Sequence, residues 1–229
     1  MPIKNGPRSA RRGAGNTKVA ISRSRLMPRK IKTNNFMLPK GSIARIYEYY
    51  FTTPRYGDEV LRAMREFFDR PDLDRGASLE MNDKSEGLFN EWFLYDFVLS
   101  NRETPLQNFV KENSLGLSAV EMELYKNILK TNIYGLYEVK KIDVDEGLAL
   151  KNLQTGKESY VREKSLTRQV QPGSVFFGRI GKVDNHYELI GADTFSIQAA
   201  GDEIMSHFHG MKFKITPKFA HDIWKMQYS

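Results

Sequence analysis

The sequence predicts an α+β protein in which a helical domain precedes a small five-stranded antiparallel barrel, OB-like or SH3-like, and C-terminal helices. Apolar residues recur at helical spacing up to about residue 133 and then alternate with a period of two. Turn signals divide the alternating part into five short runs. The predicted divisions are a disordered basic arm over 1–41, the helical domain over 42–133, the barrel over 134–198 and a C-terminal helical segment over 199–229.

The first 40 residues form a charged arm. They contain eleven Lys or Arg and no Asp or Glu, a net charge of +11, whereas the other 189 residues carry 24 Lys or Arg against 28 Asp or Glu, a net charge of −4. Because such a block repels itself and buries little apolar surface, we expect it to be disordered in isolation.

This charge predicts a polyanionic partner, and nucleic acid is the first candidate because neutralised phosphates release their condensed counterions. RNA is favoured over DNA, since Gly, Ser and Asn between the Arg residues suit irregular grooves. A solubility tail, an arm folded on the acidic remainder and attraction to a membrane surface stay open as alternatives. The candidate nucleic-acid-binding residues of the arm are Arg8, Arg11, Arg12, Lys18, Arg23, Arg25, Arg29, Lys30 and Lys32.

Helices are predicted in order from Ser42. The first two carry apolar stripes and flank Pro54, and Pro71 ends the second. After a loop over 71–87, the aromatic run from Leu88 to Val98 is interpreted as a core helix rather than as a platform for bases. Two shorter helices follow, one opened by Thr104 and Pro105 and one by a capping box of Ser118 and Glu121.

Five strands are predicted next, and turn residues separate them. The runs are 136–142, 148–153, 159–163, 174–183 and 186–197. Barrels of this size bind single strands through basic and aromatic residues on one face, although protein docking or a purely structural role fits the same pattern. The candidate residues are Arg162, Lys164, Phe177, Arg179 and Lys182, with Tyr160 beside them.

No catalytic, cofactor or metal site is predicted. The chain has no Cys, and neither a phosphate-binding glycine loop nor a nucleophile elbow is present. His207 and His209 diverge if they lie on a helix, and Thr216 and Pro217 open a last amphipathic helix. The carboxylates Asp58, Glu59, Glu91 and Asp96 would form an enzyme pocket only if the fold gathered them.

The stretch from Phe89 to about Gly191 resembles an uncharacterised bacterial family. The segments that carry the resemblance are Phe89–Asp96, Thr104–Leu106, Gly135–Val139, Asn152–Gly156, Val161–Glu163 and Pro172–Ser174. Members of that family often carry a cysteine-rich zinc knuckle, also found at the C-terminus of preprotein-translocase ATPases. This chain lacks every cysteine of such a knuckle, so the resemblance implies a helix-plus-barrel module without zinc and without an established activity.

Together these observations predict a soluble, cytoplasmic, non-enzymatic accessory protein that binds nucleic acid, with RNA favoured over DNA. The arm would supply electrostatic affinity and the barrel some orientation. The alternative is a protein-interaction adaptor that docks a partner through the helical domain or the barrel, and an enzyme of unknown class ranks third. No run of residues is long and apolar enough for a membrane span, and the arm has no Trp or Phe before Phe36 to insert beside lipid headgroups, so a membrane partner is not part of this prediction.

Overall fold

The computed structural model describes residues 41–75, 81–191, 195–197 and 214–228. Apart from Gly41 the predicted arm lies outside these residues, as does the part of the predicted C-terminal helical segment that precedes Lys214. The α-helices of the described residues are α1 Ser42–Thr52, α2 Gly57–Phe68, α3 Asp83–Tyr95, α4 Pro105–Glu112, α5 Ala119–Thr131 and α6 Pro217–Tyr228. The strands are β1 Ile133–Asp143, β2 Gly147–Asn152, β3 Glu158–Arg162, β4 Val175–Val183, β5 His186–Leu189 and β6 Phe195–Ile197. Short 3-10 turns span Pro54–Tyr56 and Leu166–Arg168.

Side-chain caps set the starts of three helices. Thr104 and Gln107 form a capping box on α4, and the predicted capping box of Ser118 and Glu121 is complete on α5. The Asn82 side chain accepts a hydrogen bond from the Ser85 amide, so α3 begins five residues before the predicted aromatic run. The predicted loop is therefore shorter than expected, because a polar cap opens this helix and its first turn carries few apolar residues.

The strands form one mixed sheet in the order β1–β2–β3–β5–β4–β6, with an additional pairing of β1 and β4. Residues 133–138 of β1 pair with β4 and residues 137–143 with β2, with a register shift between Val139 and Lys141. The expected last strand is split, because β5 and β6 pair with successive parts of β4. The expectation of a purely antiparallel sheet is wrong: β5 turns back from β4 at Asp184–Asn185 and runs parallel to β3.

The core combines helices and strands. A large cluster joins Tyr50, Phe93 and Phe109 of the helices to Leu136 and Phe177 of the sheet. The aromatic run is buried as predicted. A smaller cluster lies on the sheet and contains Tyr137, Val139, Leu148, Leu150, Val161, Leu166, Phe176 and Ile180. The described helices and strands belong to one compact unit, Asn35–Ser229, and the larger cluster crosses the predicted boundary at residue 134.

The last helix, whose start at Pro217 was predicted, packs on the body of the protein. α6 begins at Pro217, and Ala220 and His221 on its inner face are buried. The ring of His221 lies 4.8 Å from the ring of Phe67, centroid to centroid. Within the described segments, none of these helices combines the length and apolar character that a bilayer crossing demands.

Candidate nucleic-acid interface

The outer face of β3 presents polar and aromatic side chains to solvent. Side chains alternate along this strand, with Val161 buried and its neighbours Tyr160 and Arg162 exposed. Tyr160 carries a large aromatic ring, and 45% of the residue is accessible. Tyr160 and Arg162 therefore lie on one face, two residues apart, as the period of a strand requires.

Small residues of β2 lie beside Tyr160. Its cross-strand partner is Ala149, and the partner of Arg162 is Gly147. A Cβ atom at Gly147 would lie 2.4 Å from the carbonyl oxygen of Val161 and 2.9 Å from the Tyr160 ring. The ring thus lies across the glycine, and glycine is required because any side chain would displace the ring or the strand.

A cleft of about 730 Å³ opens at this face. It adjoins the β1–β2 turn, the end of β3 and part of β5. The lining residues are Asp145, Glu146, Tyr160, Arg162, Glu163, Lys164, Ser165, Glu188 and Leu189. Two of the sequence-predicted residues, Arg162 and Lys164, therefore share one concave site with Tyr160.

Several carboxylates of the cleft are engaged by the protein itself. Both oxygens of Asp145 accept hydrogen bonds from Arg168, at 2.7 Å each, and these bonds hold the pKa of Asp145 below its ordinary value. Glu188 contacts His186 at 2.7 Å, and Glu163 accepts the amide hydrogen of Leu166.

Three other charged side chains of the cleft are open to a ligand. Within the described part of the chain, the side chains of Glu146, Arg162 and Lys164 form no hydrogen bond or ion pair. Positive charge and an exposed aromatic ring therefore meet at the cleft, together with one carboxylate that no described residue engages.

The expected exposure of Phe177 and Arg179 is wrong. Phe177 is fully buried and Arg179 is 3% exposed, while Lys182 is half-buried with its ammonium 5.5 Å from the Tyr187 ring centroid. The reason is that β4 is covered on both faces, by the sheet cluster on one and the helix-containing cluster on the other. Alternation along a strand leaves one face in solvent only when that face has no covering layer.

Arg179 lies instead at the centre of a buried ion network. Its guanidinium donates to Glu91 at 2.9 Å, to Asp96 at 2.5 Å and to the side-chain oxygen of Asn132 at 2.7 Å. It also lies 4.2 Å from the centroid of the Tyr95 ring. Burial opposes this charge, but Glu91 and Asp96 outweigh burial and hold the pKa of the guanidinium above its ordinary value.

The fold thus gathers two of the four carboxylates considered for chemistry. Glu91 and Asp96 converge on Arg179, whereas Asp58 pairs with Arg75 and Glu59 with Arg62. The nitrogens of Arg179 are engaged by protein oxygens, which is the arrangement of a structural ion network. The signal that sequence reasoning missed is a charge inside an apolar run, Arg179 in Val-Phe-Phe-Gly-Arg-Ile-Gly and Glu91 in Phe-Asn-Glu-Trp-Phe.

A serine and a histidine also meet in the core. The Ser85 hydroxyl lies 3.3 Å from Nε2 of His221, and Asp222 lies 3.8 Å from Nδ1. The His221 side chain is 1% exposed and is surrounded by Phe67, Phe68 and Trp224, so this pair has the environment of a packed core. Burial first, and the charge of Lys225 next, lower the pKa of His221 to about 4.

In the residues that the structure describes, no three His, Cys, Asp or Glu side chains are grouped to hold a metal ion, and His207 and His209 lie outside those residues.

Comparison with known proteins gives one family. Neither the curated proteins nor the solved structures gave a match. A model described as a family of unknown function, DUF7986, matches residues 45–219, which is more than half of the chain and includes the helices α2 to α5 and the whole sheet. This chain belongs to that family of unknown function, DUF7986.

Proposed function

We propose that this protein is a non-enzymatic accessory protein that binds single-stranded nucleic acid, with RNA as its preferred partner. The observation that carries the proposal is the separation of charge along the chain. Residues 1–40 have a net charge of +11 and no acidic residue, whereas the remaining 189 residues are slightly acidic. A segment of this kind binds phosphates through counterion release without needing a specific surface.

The sheet supports the same proposal. The pairs β1–β2, β2–β3, β3–β5, β5–β4 and β4–β1 return to the starting strand. We infer that the sheet closes into an OB-like barrel, because a parallel β3–β5 pair and a first strand shared between two partners suit such closure. Barrels of this type bind oligonucleotides over the second and third strands, where Tyr160 and Arg162 lie.

Salt dependence tests the proposal on the full-length protein. Changing Arg8, Arg11 and Arg12 to Gln should weaken binding of a labelled single-stranded RNA and reduce the slope of log K against log salt by about 2, since each phosphate contact contributes about 0.7. Fluorescence anisotropy across a salt series, with matching DNA, measures both effects.

The matched control changes Lys126, Lys130 and Lys157, exposed charges of the described fold, to Gln. This variant should keep the slope of the wild type. The proposal fails if the wild type binds neither RNA nor DNA at low salt, or if the two triple variants change the slope equally.

A protein adaptor is a second candidate, and the charge of the cleft favours it. The lining has four carboxylates and two basic side chains, Arg162 and Lys164, which suits a basic peptide as well as a nucleotide. A peptide interface that depends on packing would retain its affinity in salt that abolishes binding through the arm.

A further inference from the structure

Tyr160 is held in place from one side. Its ring lies across Gly147, where a Cβ atom would approach the ring to 2.9 Å. Even so, 45% of the residue is accessible. The ring is thus oriented before any ligand arrives, so that stacking on it costs little conformational entropy.

The space beside the ring suits one flat group. Ala149 and Gly147 of β2 are the cross-strand partners of Tyr160 and Arg162, so β2 places no bulky side chain next to them. The cleft volume of about 730 Å³ lies within the usual range for small-ligand sites. An unpaired base can present its face to such a ring, whereas the bases of a duplex are already stacked on each other.

The charged side chains around the ring suit different parts of a nucleotide. Arg162 and Lys164 are cations suited to its phosphates, and no described residue pairs with them. Glu146 lines the same cleft as Tyr160 and directly precedes Gly147, on which the ring lies. A carboxylate only accepts hydrogen bonds, and guanine carries adjacent N1–H and N2–H donors on its Watson–Crick edge, which no other common base offers.

From these contacts we infer that Tyr160 is a stacking site for one unpaired base of a bound strand, with guanine preferred through Glu146 and with Arg162 and Lys164 on the neighbouring phosphates. The inference rests on the proposed function and adds to it a site within the fold. The arm supplies affinity for any strand; the cleft supplies a preference for a base.

The test measures binding of the full-length protein to three ten-nucleotide strands built from stable abasic residues. One strand has no base, one has a single central guanine and one has a single central adenine. The wild type should bind the guanine strand about 5- to 150-fold more tightly than the strand without a base, which corresponds to the usual range for one stacked base. Tyr160→Leu should bind the guanine strand and the strand without a base equally, and Tyr160→Phe should retain most of the difference because it keeps the ring.

Base preference is tested with Glu146→Gln. Glu158→Gln is the matched control, because Glu158 is exposed on β3, the strand of Tyr160, but does not line the cleft. The first change should abolish the preference for guanine over adenine and the second should leave it intact. Equal binding of all three strands by the wild type overturns the inference and leaves the proposed function standing, a result that needs no variant to fold. Failure to bind any strand, including natural RNA, overturns both.

Discussion

Arg179 is a charged residue in the middle of an apolar strand, and its surroundings explain why it is tolerated there. The Arg179 and Glu91 side chains are 3% and 0% exposed, and Asp96 is 4% exposed. Lys214 adds a second cation on the outer oxygen of Asp96, at 2.6 Å. The two buried carboxylates are therefore compensated by the buried guanidinium of Arg179 and by the exposed ammonium of Lys214, whereas a single buried charge would be strongly unfavourable.

Removal of this guanidinium should be costly. Arg179→Met leaves Glu91 and Asp96 buried without their main partner, and we expect a loss of about 3 to 5 kcal/mol in the free energy of unfolding, measured in urea. Arg162→Met is the matched control, since Arg162 is exposed on β3, and it should change stability by less than about 0.5 kcal/mol. A loss below about 1 kcal/mol for Arg179→Met would show that the network does not hold the helices to the sheet.

At the scale of elements, α6 is attached to the protein through a buried histidine. His221 contacts Ser85 of α3 and Phe67 of α2. The charged groups near it are Lys218, Asp222 and Lys225 on α6 and Asp69 after α2. Because burial is the largest influence, the folded state holds this ring neutral.

Because His221 anchors α6 in its neutral form, the folded protein should become less stable as the pH falls. The pKa of His221 is lowered to about 4 in the folded state, so the unfolded chain binds the proton more readily as the pH falls below about 6.5. Above about pH 6.5 this residue does not reduce the free energy of unfolding, and as the pH falls from there toward 4 the free energy of unfolding decreases progressively. Between about pH 7.5 and about pH 5 we expect a loss of about 2 kcal/mol from this residue.

Comparison of the wild type with His221→Gln isolates this loss, because other groups titrate in both proteins. Urea unfolding at the two pH values should show a smaller pH dependence for the variant by about 2 kcal/mol. An identical pH dependence would mean that His221 is protonated as easily in the folded protein as in the unfolded chain.

The strands β3 and β4 illustrate how environment decides the role of an element. Both contain Arg beside aromatic residues, and their sequences predicted the same exposed basic face. β3 has a solvent face with Tyr160 and Arg162, whereas β4 pairs with β1, β5 and β6 and is covered on both faces. The difference comes from the position of each strand in the sheet, which its own residues do not encode.

At the scale of the whole molecule, helices and sheet share one hydrophobic core. Phe177 of β4 packs in the same cluster as Phe93 of α3 and Phe109 of α4. Phe177→Ala removes a fully buried ring and should cost about 3 to 5 kcal/mol.

If the core is shared, Phe177→Ala should reduce stability in the predicted helical domain, 42–133, as well as in the predicted barrel, 134–198. Hydrogen exchange followed by mass spectrometry should show reduced protection in α3 and α5 as well as in β1 and β4, by the same free energy. Loss of protection confined to residues 134–198 would instead support independent domains with a boundary near residue 134.

Much of the local structure could be predicted from the sequence, because it depends on neighbours along the chain. The start of α4 at Thr104 and Pro105, the capping box of Ser118 and Glu121 and the aromatic core helix are confirmed. The candidate site was predicted in part: Arg162 and Lys164 line the cleft, but the roles of Gly147 and Glu146 were missed, because they come near Tyr160 through pairing between strands.

The amino-acid sequence alone established the α+β class and the starts of α4 to α6. It also established the absence of cysteine and the charge separation between the first 40 residues and the remainder. These follow from composition and from interactions over a few residues. Long-range packing decided the rest: the parallel β3–β5 pair, the burial of Arg179 against Glu91 and Asp96, and the exposure of Tyr160 beside a cleft. Burial is a property of the layers that meet around a residue, and those layers come from distant parts of the chain.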